Sequence, residues 1–229
     1  MKLSVIIPVY NEPDTIRRIV NRVMKVDMEK EIIIIDQSTD DTYRIVGEIM
    51  SYAPVNQSDI KLFRMTKKKS DGKGSAIREG LKYVTGDIVI IQDADLEYDP
   101  NDYYELVRPI VEGRASVVYG SRILGNNEKS SLCFYLGGRL LTFLANILYK
   151  ANITDEPTCY KVFLTAVIKS IDLKCKRFDF CPEVTAKVRK MGYEILEVPI
   201  HYYPRSLEEG KKIRWQDGIE AIWTLIKYR

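Results

Sequence analysis

The chain has 229 residues, of which 45% are hydrophobic and 29% charged, and a formal net charge of +3. This length suits one domain with a real core, the composition is that of a globular protein, and so small a charge excludes a case for nucleic-acid binding. Cys133, Cys159, Cys175 and Cys181 form no CxxC pair, so they read as reduced thiols and not as a cysteine metal centre.

Residues 3–7 read as a short buried strand, which meets Pro8 and Asn11-Glu12 too soon to be a signal peptide. Residues 13–26 set Ile16, Ile19, Val20 and Val23 on one helical face. Residues 31–36 hold four consecutive isoleucines, the mark of a parallel strand covered on both sides. Asp40-Asp41 open the next helix, where acidic side chains favour the N-terminal dipole. A strand at 60–65, a helix at 75–84, a strand at 87–92, a helix at 100–112 and a strand at 115–119 follow. This alternation predicts a doubly wound, mostly parallel sheet with ligands at the carboxyl ends of its strands. The second half is less regular: a helix over 132–149, a loop at 155–158, a helix at 182–191, a strand at 193–199 and a terminal helix over 215–228. With no internal repeat or linker, 1–229 is expected to be a single domain, divided into a half at 1–122 and a half at 123–229.

Chemistry concentrates at predicted strand ends. Asp93 and Asp95 flank Ala94 directly after an apolar run, so both carboxylates can turn onto one divalent cation. Hard oxygen ligands suit Mg²⁺ or Mn²⁺ bridging to substrate phosphates, and Glu97 repeats the spacing as a third ligand. Pro8 to Glu12 follow the first strand and Asp36 ends the second, so a parallel sheet gathers three polar clusters on one rim. Gly72-Lys73-Gly74-Ser75 is not a P-loop, because no Ser or Thr follows the Lys and position 67 is not Gly; a flexible loop over a diphosphate fits better. His201, the only histidine, reads as a surface residue at a strand end.

Taken together, Pro8-Val9-Tyr10-Asn11-Glu12, Asp36-Gln37-Ser38-Thr39-Asp40, Gly72 to Arg78 and Asp93-Ala94-Asp95 resemble the inverting family 2 glycosyltransferases of the GT-A fold. Gly120-Ser121-Arg122, residues 155–161, Glu197 to Ile200, Pro204-Arg205 and Glu209 to Lys212 extend the likeness, which is nearest the dolichol-phosphate mannose synthase-like branch. The resemblance implies an α/β GT-A sheet with a C-terminal amphipathic helix. It also implies a hexosyltransferase that carries a sugar from GDP-mannose or a UDP-sugar to a polyprenyl or dolichyl phosphate with inversion. By the same resemblance Pro8, Tyr10, Glu12, Ile35, Asp36 and Gln37 surround the nucleoside, while Lys73, Asp93, Ala94 and Lys211 face the rest of the donor. Asp93, Asp95 and Glu97 hold the metal; Asp95, Arg122 and Arg205 act at the reacting phosphates, and Arg139 meets the lipid phosphate. The chain departs from the family at Gln37, where a second aspartate is common, and at Glu97, where related mannose synthases often carry Gln. Arg214-Trp215 is similar to the end of the QxxRW motif of processive synthases, but Lys211 replaces its Gln, which disfavours processivity. A phosphate acceptor needs no protein base; a sugar or lipid hydroxyl would, and Asp155 is then the candidate. A catalytically silent nucleotide-binding module is the third reading.

Leu136, Leu140, Phe143, Leu144 and Ile147 recur at helical spacing beside Arg139, and the terminal helix carries Trp215, Trp223 and Tyr228 with Lys227 and Arg229. Aromatic and basic residues together suit a headgroup boundary. The 132–149 stretch is shorter than the ~20 residues of a spanning helix. A peripheral protein on the cytoplasmic face is expected, held by the membrane surface itself or by a separate membrane-anchor subunit. Basic residues also cluster at Lys67 to Lys69 with Lys73 and from Arg205 to Arg214, a pattern equally consistent with a solvated face.

Overall fold

A computed structural model describes residues 1–52, 59–65, 72–128, 131–205 and 212–229. Strands β1 (Leu3–Val9), β2 (Lys30–Asp36), β3 (Asp59–Arg64), β4 (Ile88–Ile91), β5 (Val117–Ser121), β6 (Lys161–Leu164) and β7 (Leu196–Pro199) form one sheet in the order β3-β2-β1-β4-β6-β5-β7. All pairings are parallel except those of β6, which runs antiparallel to both β4 and β5. The doubly wound, mostly parallel sheet expected from the sequence is therefore observed. Helices α1 (Ile16–Lys25), α2 (Thr42–Tyr52), α3 (Lys73–Gly80), α4 (Tyr103–Val111), α5 (Leu132–Tyr149), α6 (Thr165–Ser170), α7 (Phe180–Lys190) and α8 (Trp215–Lys227) complete it.

The β-branched runs of β1, β2 and β4 are buried on both faces, α3 packs against β1 and β2, and α1 buries Ile16, Ile19, Val20 and Val23 in the same core, the face that periodicity assigns to it. The register pairs Val9 with Asp36 and Ile6 with Ile91, so the carboxyl ends of β1, β2 and β4 stand side by side. Connections leave β1 toward β2 on one side while β4 lies on the other, which makes this rim the crevice where open α/β sheets bind ligands.

Strand β6 and helix α6 were not anticipated. The strand is short and opens with Lys161, which is fully buried. The Lys161 ammonium donates to the Glu156 carbonyl at 2.7 Å and lies 3.5 Å from the centre of the Tyr119 ring, so contacts outside the strand satisfy it. The edge strand β7 is shorter than the span expected from the sequence.

Helices α5 and α8 turn their apolar faces outward. On α5, Leu136, Leu140, Phe143 and Ile147 are exposed, while Thr142, Ala145 and Tyr149 are buried and Leu144 packs against the core. On α8, Trp215, Ile219, Trp223 and Ile226 are exposed, and the buried side includes Asp217 and Thr224. Among the described residues α5 is the one helix long and apolar enough to cross a membrane, with mean hydropathy 1.4 and only 11% of it buried, so its 18 residues do not fall short of a span as the sequence reading has it.

Candidate active site

The rim opens into a cleft of about 2120 Å³. Pro8, Tyr10, Glu12, Gln37, Lys73, Asp93, Ala94, Asp95, Glu97, Arg122, Arg139 and Arg205 all line it. Ile35 and Asp36 do not: both have no exposed surface and stand behind the lining. Lys211 lies outside the described residues, as do Lys67 to Lys69. His201 is exposed away from the cleft, its Nδ1 2.7 Å from Asp102 Oδ1, which raises the imidazole pKa.

The acidic turn is held from below and strained at its centre. Gln92, the residue after β4, is fully buried; its Oε1 accepts from Tyr103 (2.6 Å) and Tyr160 (2.8 Å), and its Nε2 donates to the Asp93 carbonyl (2.9 Å). Sequence reading missed this support, whose only local signal is a polar residue closing an apolar strand. Leu96 takes φ 66°, a conformation that costs a non-glycine residue, and thereby lets Asp95 Oδ1 accept the Glu97 amide at 3.1 Å.

Charge is crowded here. Asp93 Oδ1 lies 2.6 Å from Lys73 Nζ, and Asp95 Oδ2 lies 3.5 Å from Arg205 Nη2. Burial, then the neighbouring Asp93 and Glu97 carboxylates, push the Asp95 pKa up to about 7 despite Arg205. Burial alone would lower the Lys73 pKa, but Asp93 beside it raises the value well above the ordinary one. A turn that must recruit protein cations to neutralise its carboxylates has the donor set and the surplus charge of a divalent-cation site. Mg²⁺ and Mn²⁺ fit Asp93 and Asp95, with substrate oxygens and water for the remaining positions. Glu97 is engaged differently: its Oε1 accepts the Arg205 amide at 2.7 Å, and among the described residues no set of three potential ligands converges.

Three further side chains are committed in ways the sequence did not show. The Gln37 amide pairs with the backbone of Gly72, Oε1 accepting its N–H at 3.2 Å and Nε2 donating to its carbonyl at 3.1 Å and to Ser75 Oγ at 3.3 Å. The amides of Gly74 and Ser75 donate to the carbonyls of Arg177 and Lys176, so the start of α3 is docked onto 176–177, not a loose loop over a diphosphate. Asp155 receives Arg122 bidentately, Nε to Oδ2 and Nη2 to Oδ1, each at 2.7 Å, with the Arg122 amide at 2.9 Å. Burial would raise the Asp155 pKa, but Arg122 outweighs it and holds it below the usual carboxylate value. A carboxylate so placed is a poor general base. Arg139 Nη1 donates to the Thr154 carbonyl at 3.0 Å from an exposed position on α5.

The family model for glycosyl transferase family 2 matches residues 4–172. The chain belongs to that family. The glycosyltransferase is 30% identical over 226 residues to UDP-N-acetylglucosamine–dolichyl-phosphate N-acetylglucosaminyltransferase of Methanococcus voltae, covering 92% of this chain and 90% of the relative. It is 28% identical over 218 residues to dolichol-phosphate mannosyltransferase of Pyrococcus furiosus, covering 92% of this chain but 59% of the relative. In fold it is similar to glucosyl-3-phosphoglycerate synthase of Mycobacterium tuberculosis, solved with Mn²⁺, UDP and glucosyl-3-phosphoglycerate. That likeness has TM-score 0.70 at 18% identity and covers 99% of this chain and 79% of the other, which supports the GT-A sheet expected from the motifs.

Proposed function

We propose that this glycosyltransferase moves one hexosyl unit from a nucleotide sugar to a polyprenyl or dolichyl phosphate, with inversion, at a membrane surface. The observation that carries the reading is the state of Asp155. The carboxylate that the sequence singles out as base for a hydroxyl acceptor is paired bidentately with Arg122, whereas Lys73, Arg122 and Arg205 line the cleft with cations for anionic substrates. A phosphate monoester has its second pKa at ~6 and is already a nucleophile at neutral pH.

In this reading the half at 1–122 takes the donor and the half at 123–229 the acceptor. Tyr10, an exposed ring at the rim, offers a face to the base. Asp36 stands buried behind Gln37, outside the cleft lining, with both carboxylate oxygens lacking a partner among the described residues. Asp93 and Asp95 would hold Mg²⁺ or Mn²⁺, which when bound neutralises charge on the departing nucleoside diphosphate. The acceptor phosphate oxygen attacks the anomeric carbon, the bond from that carbon to the diphosphate oxygen breaks, and its electron pair leaves with the nucleotide. Lys73 and Arg205 stand where that negative charge grows, and Arg122 is fixed by Asp155 to meet the acceptor phosphate. The cleft runs on between α5 and α8, past Gly137, Leu141, Gly218 and Ile222, toward their outward apolar faces, a path suited to an isoprenoid chain.

The test is turnover with GDP-mannose, UDP-glucose and UDP-N-acetylglucosamine, each offered polyprenyl phosphate or the corresponding polyprenol. Transfer to the phosphate alone, by one of the donors, is the expected result. Equal transfer to polyprenol would establish the hydroxyl reading, and nucleotide binding without transfer the silent one. The same preparation should sediment with anionic vesicles, less so as salt rises; no binding at low salt, even with polyprenyl phosphate in the vesicles, would remove the membrane from the proposal.

A further inference from the structure

The sequence resemblance assigns Glu12 to the donor nucleoside, but the structure spends this side chain elsewhere. Glu12 is 7% exposed at the turn after β1. Its Oε1 accepts from Arg205 Nη2 at 3.1 Å and from Lys212 Nζ at 2.6 Å. Its Oε2 accepts from Arg205 Nη1 at 3.2 Å and from Thr15 Oγ1 at 2.7 Å. An ionised carboxylate offers about four acceptor positions, so this one has none left for a ribose hydroxyl. Burial alone would raise its pKa, and the bonds from Arg205, Lys212 and Thr15 together hold it below the ordinary value, so the group is a stable anion.

We propose that Glu12 is a positioning residue, which clamps Arg205 and Lys212 of the C-terminal half onto the turn after β1 and so aims the Arg205 guanidinium into the cleft. Arg205 is oriented on three sides: Glu12 takes both terminal nitrogens, Glu97 takes its amide, and Asp95 lies 3.5 Å from Nη2. Its Nε is buried and has no acceptor among the described residues, a donor left over in a cleft lined for anions. Lys212 closes the clamp from the other side, donating also to the carbonyls of Tyr10 and Asn11. Bidentate geometry fixes a guanidinium in plane and distance, which a single ion pair does not. Phosphate oxygens in the cleft would therefore meet an arginine already in place, with less ordering entropy left to lose on binding.

The inference rests on the transferase reading and is tested by a double-mutant cycle. Glu12→Gln keeps the shape and removes the charge. In the otherwise native chain it should lower kcat/KM for polyprenyl phosphate about tenfold, the scale of one charge-assisted bond. In a chain already carrying Arg205→Ala and Lys212→Ala, the same substitution should change it less than about twofold. Equal losses in both backgrounds would overturn the clamp and return Glu12 to direct substrate contact, and so would an Arg205→Ala chain with native kinetics. A merely structural role would show as a fall in unfolding temperature with additive kinetics. Should the wild-type chain transfer to no polyprenyl phosphate, the transferase reading fails by itself. The cycle is then read on the Kd of UDP or GDP with Mn²⁺, where the same non-additivity is expected, and a wild-type chain that binds neither nucleotide overturns both.

Discussion

Strand β2 carries Glu31 next to its start and Asp36 at its end, and the two carboxylates, each fully buried, meet opposite surroundings. At the amino-terminal rim Glu31 accepts from Ser4 Oγ (2.5 Å), the Thr85 amide (2.6 Å) and hydroxyl (2.9 Å), the Gly86 amide (3.2 Å) and Lys61 Nζ (2.8 Å). Burial would raise its pKa, but Lys61, Ser4 and Thr85 outweigh that and bring it to about 2. At the carboxyl rim burial raises the pKa of Asp36, with Ser38 and Arg64 offsetting only part, and neither oxygen has a hydrogen-bond partner among the described residues. Asp95, on the same rim, is pushed up to about 7. The amino-terminal end supplies Glu31 with donors from the chain; at the carboxyl end Glu12 is supplied too, but Asp36 and Asp95 are left short. That shortage has a cost in stability which a ligand's cations and N–H groups can offset, so it marks the functional end.

The sharpest way to break this contrast is to remove an anion from each rim and compare activity with stability. Asp95→Ala should lower sugar transfer by about three orders of magnitude or more, because the departing diphosphate loses the cation that its charge requires. Asp93→Ala should be nearly as damaging. Asp95→Ala should unfold at the wild-type temperature or above, since it removes a carboxylate crowded by its neighbours, whereas Asp93→Ala leaves the Lys73 ammonium without its partner and should unfold below it. Normal turnover by Asp95→Ala at saturating donor would sink the metal-dependent mechanism.

Glu31→Gln should do the reverse, leaving kcat near wild type while lowering the unfolding free energy. A carboxylate drawn from 4.5 to about 2 by its native contacts contributes on the order of 3 kcal/mol at neutral pH. Because the folded pKa is depressed, that contribution is complete above about 4.5 and fades as pH falls toward about 2. Urea unfolding of wild type and variant should therefore differ by about 3 kcal/mol at pH 7 and converge near pH 2. A difference that stays constant with pH would mean that Glu31 stabilises through shape and not through charge.

Local pattern made the functional rim legible and the supporting partners illegible. Apolar runs ending in polar residues disclose β1, β2 and β4, and their parallel alignment sets Glu12, Asp36, Asp93 and Asp95 on one edge, as the register confirms. Aromatic and basic residues at helical spacing point the apolar stripes of α5 and α8 outward, where Phe143 and Trp223 lie, yet give no means of knowing that Thr142 and Asp217 face inward. Strand β6 was hidden because its first residue is a buried lysine whose partners, Glu156 and Tyr119, lie outside the strand. The Glu12–Arg205–Lys212 cluster joins the two ends of the chain, a contact that no window of sequence contains.

Gln37 sharpens the comparison, because it is a fully engaged side chain on the rim where Asp36 is not. Its amide has the reach and the paired donor and acceptor to close a two-bond ring with Gly72, and Gly72, at φ 108°, starts the helix whose first residue is Lys73. A Cβ at position 72 would also lie 3.1 Å from Arg177 Cγ, so the turn is confined on both sides. Gln37→Glu preserves length and one acceptor but replaces the donor with a second acceptor, which then faces the Gly72 carbonyl. The lost bond and the repulsion should cost about 1–3 kcal/mol, spent on loosening the start of α3 and the Lys73–Asp93 pair. Nucleotide affinity should fall about tenfold or less, by the same factor for UDP as for GDP, since the lesion lies under the phosphates and not at the base. Exchange of the Gly72 amide proton should quicken in step. A loss that differs between UDP and GDP while that amide stays protected would instead make position 37 a reader of the nucleobase.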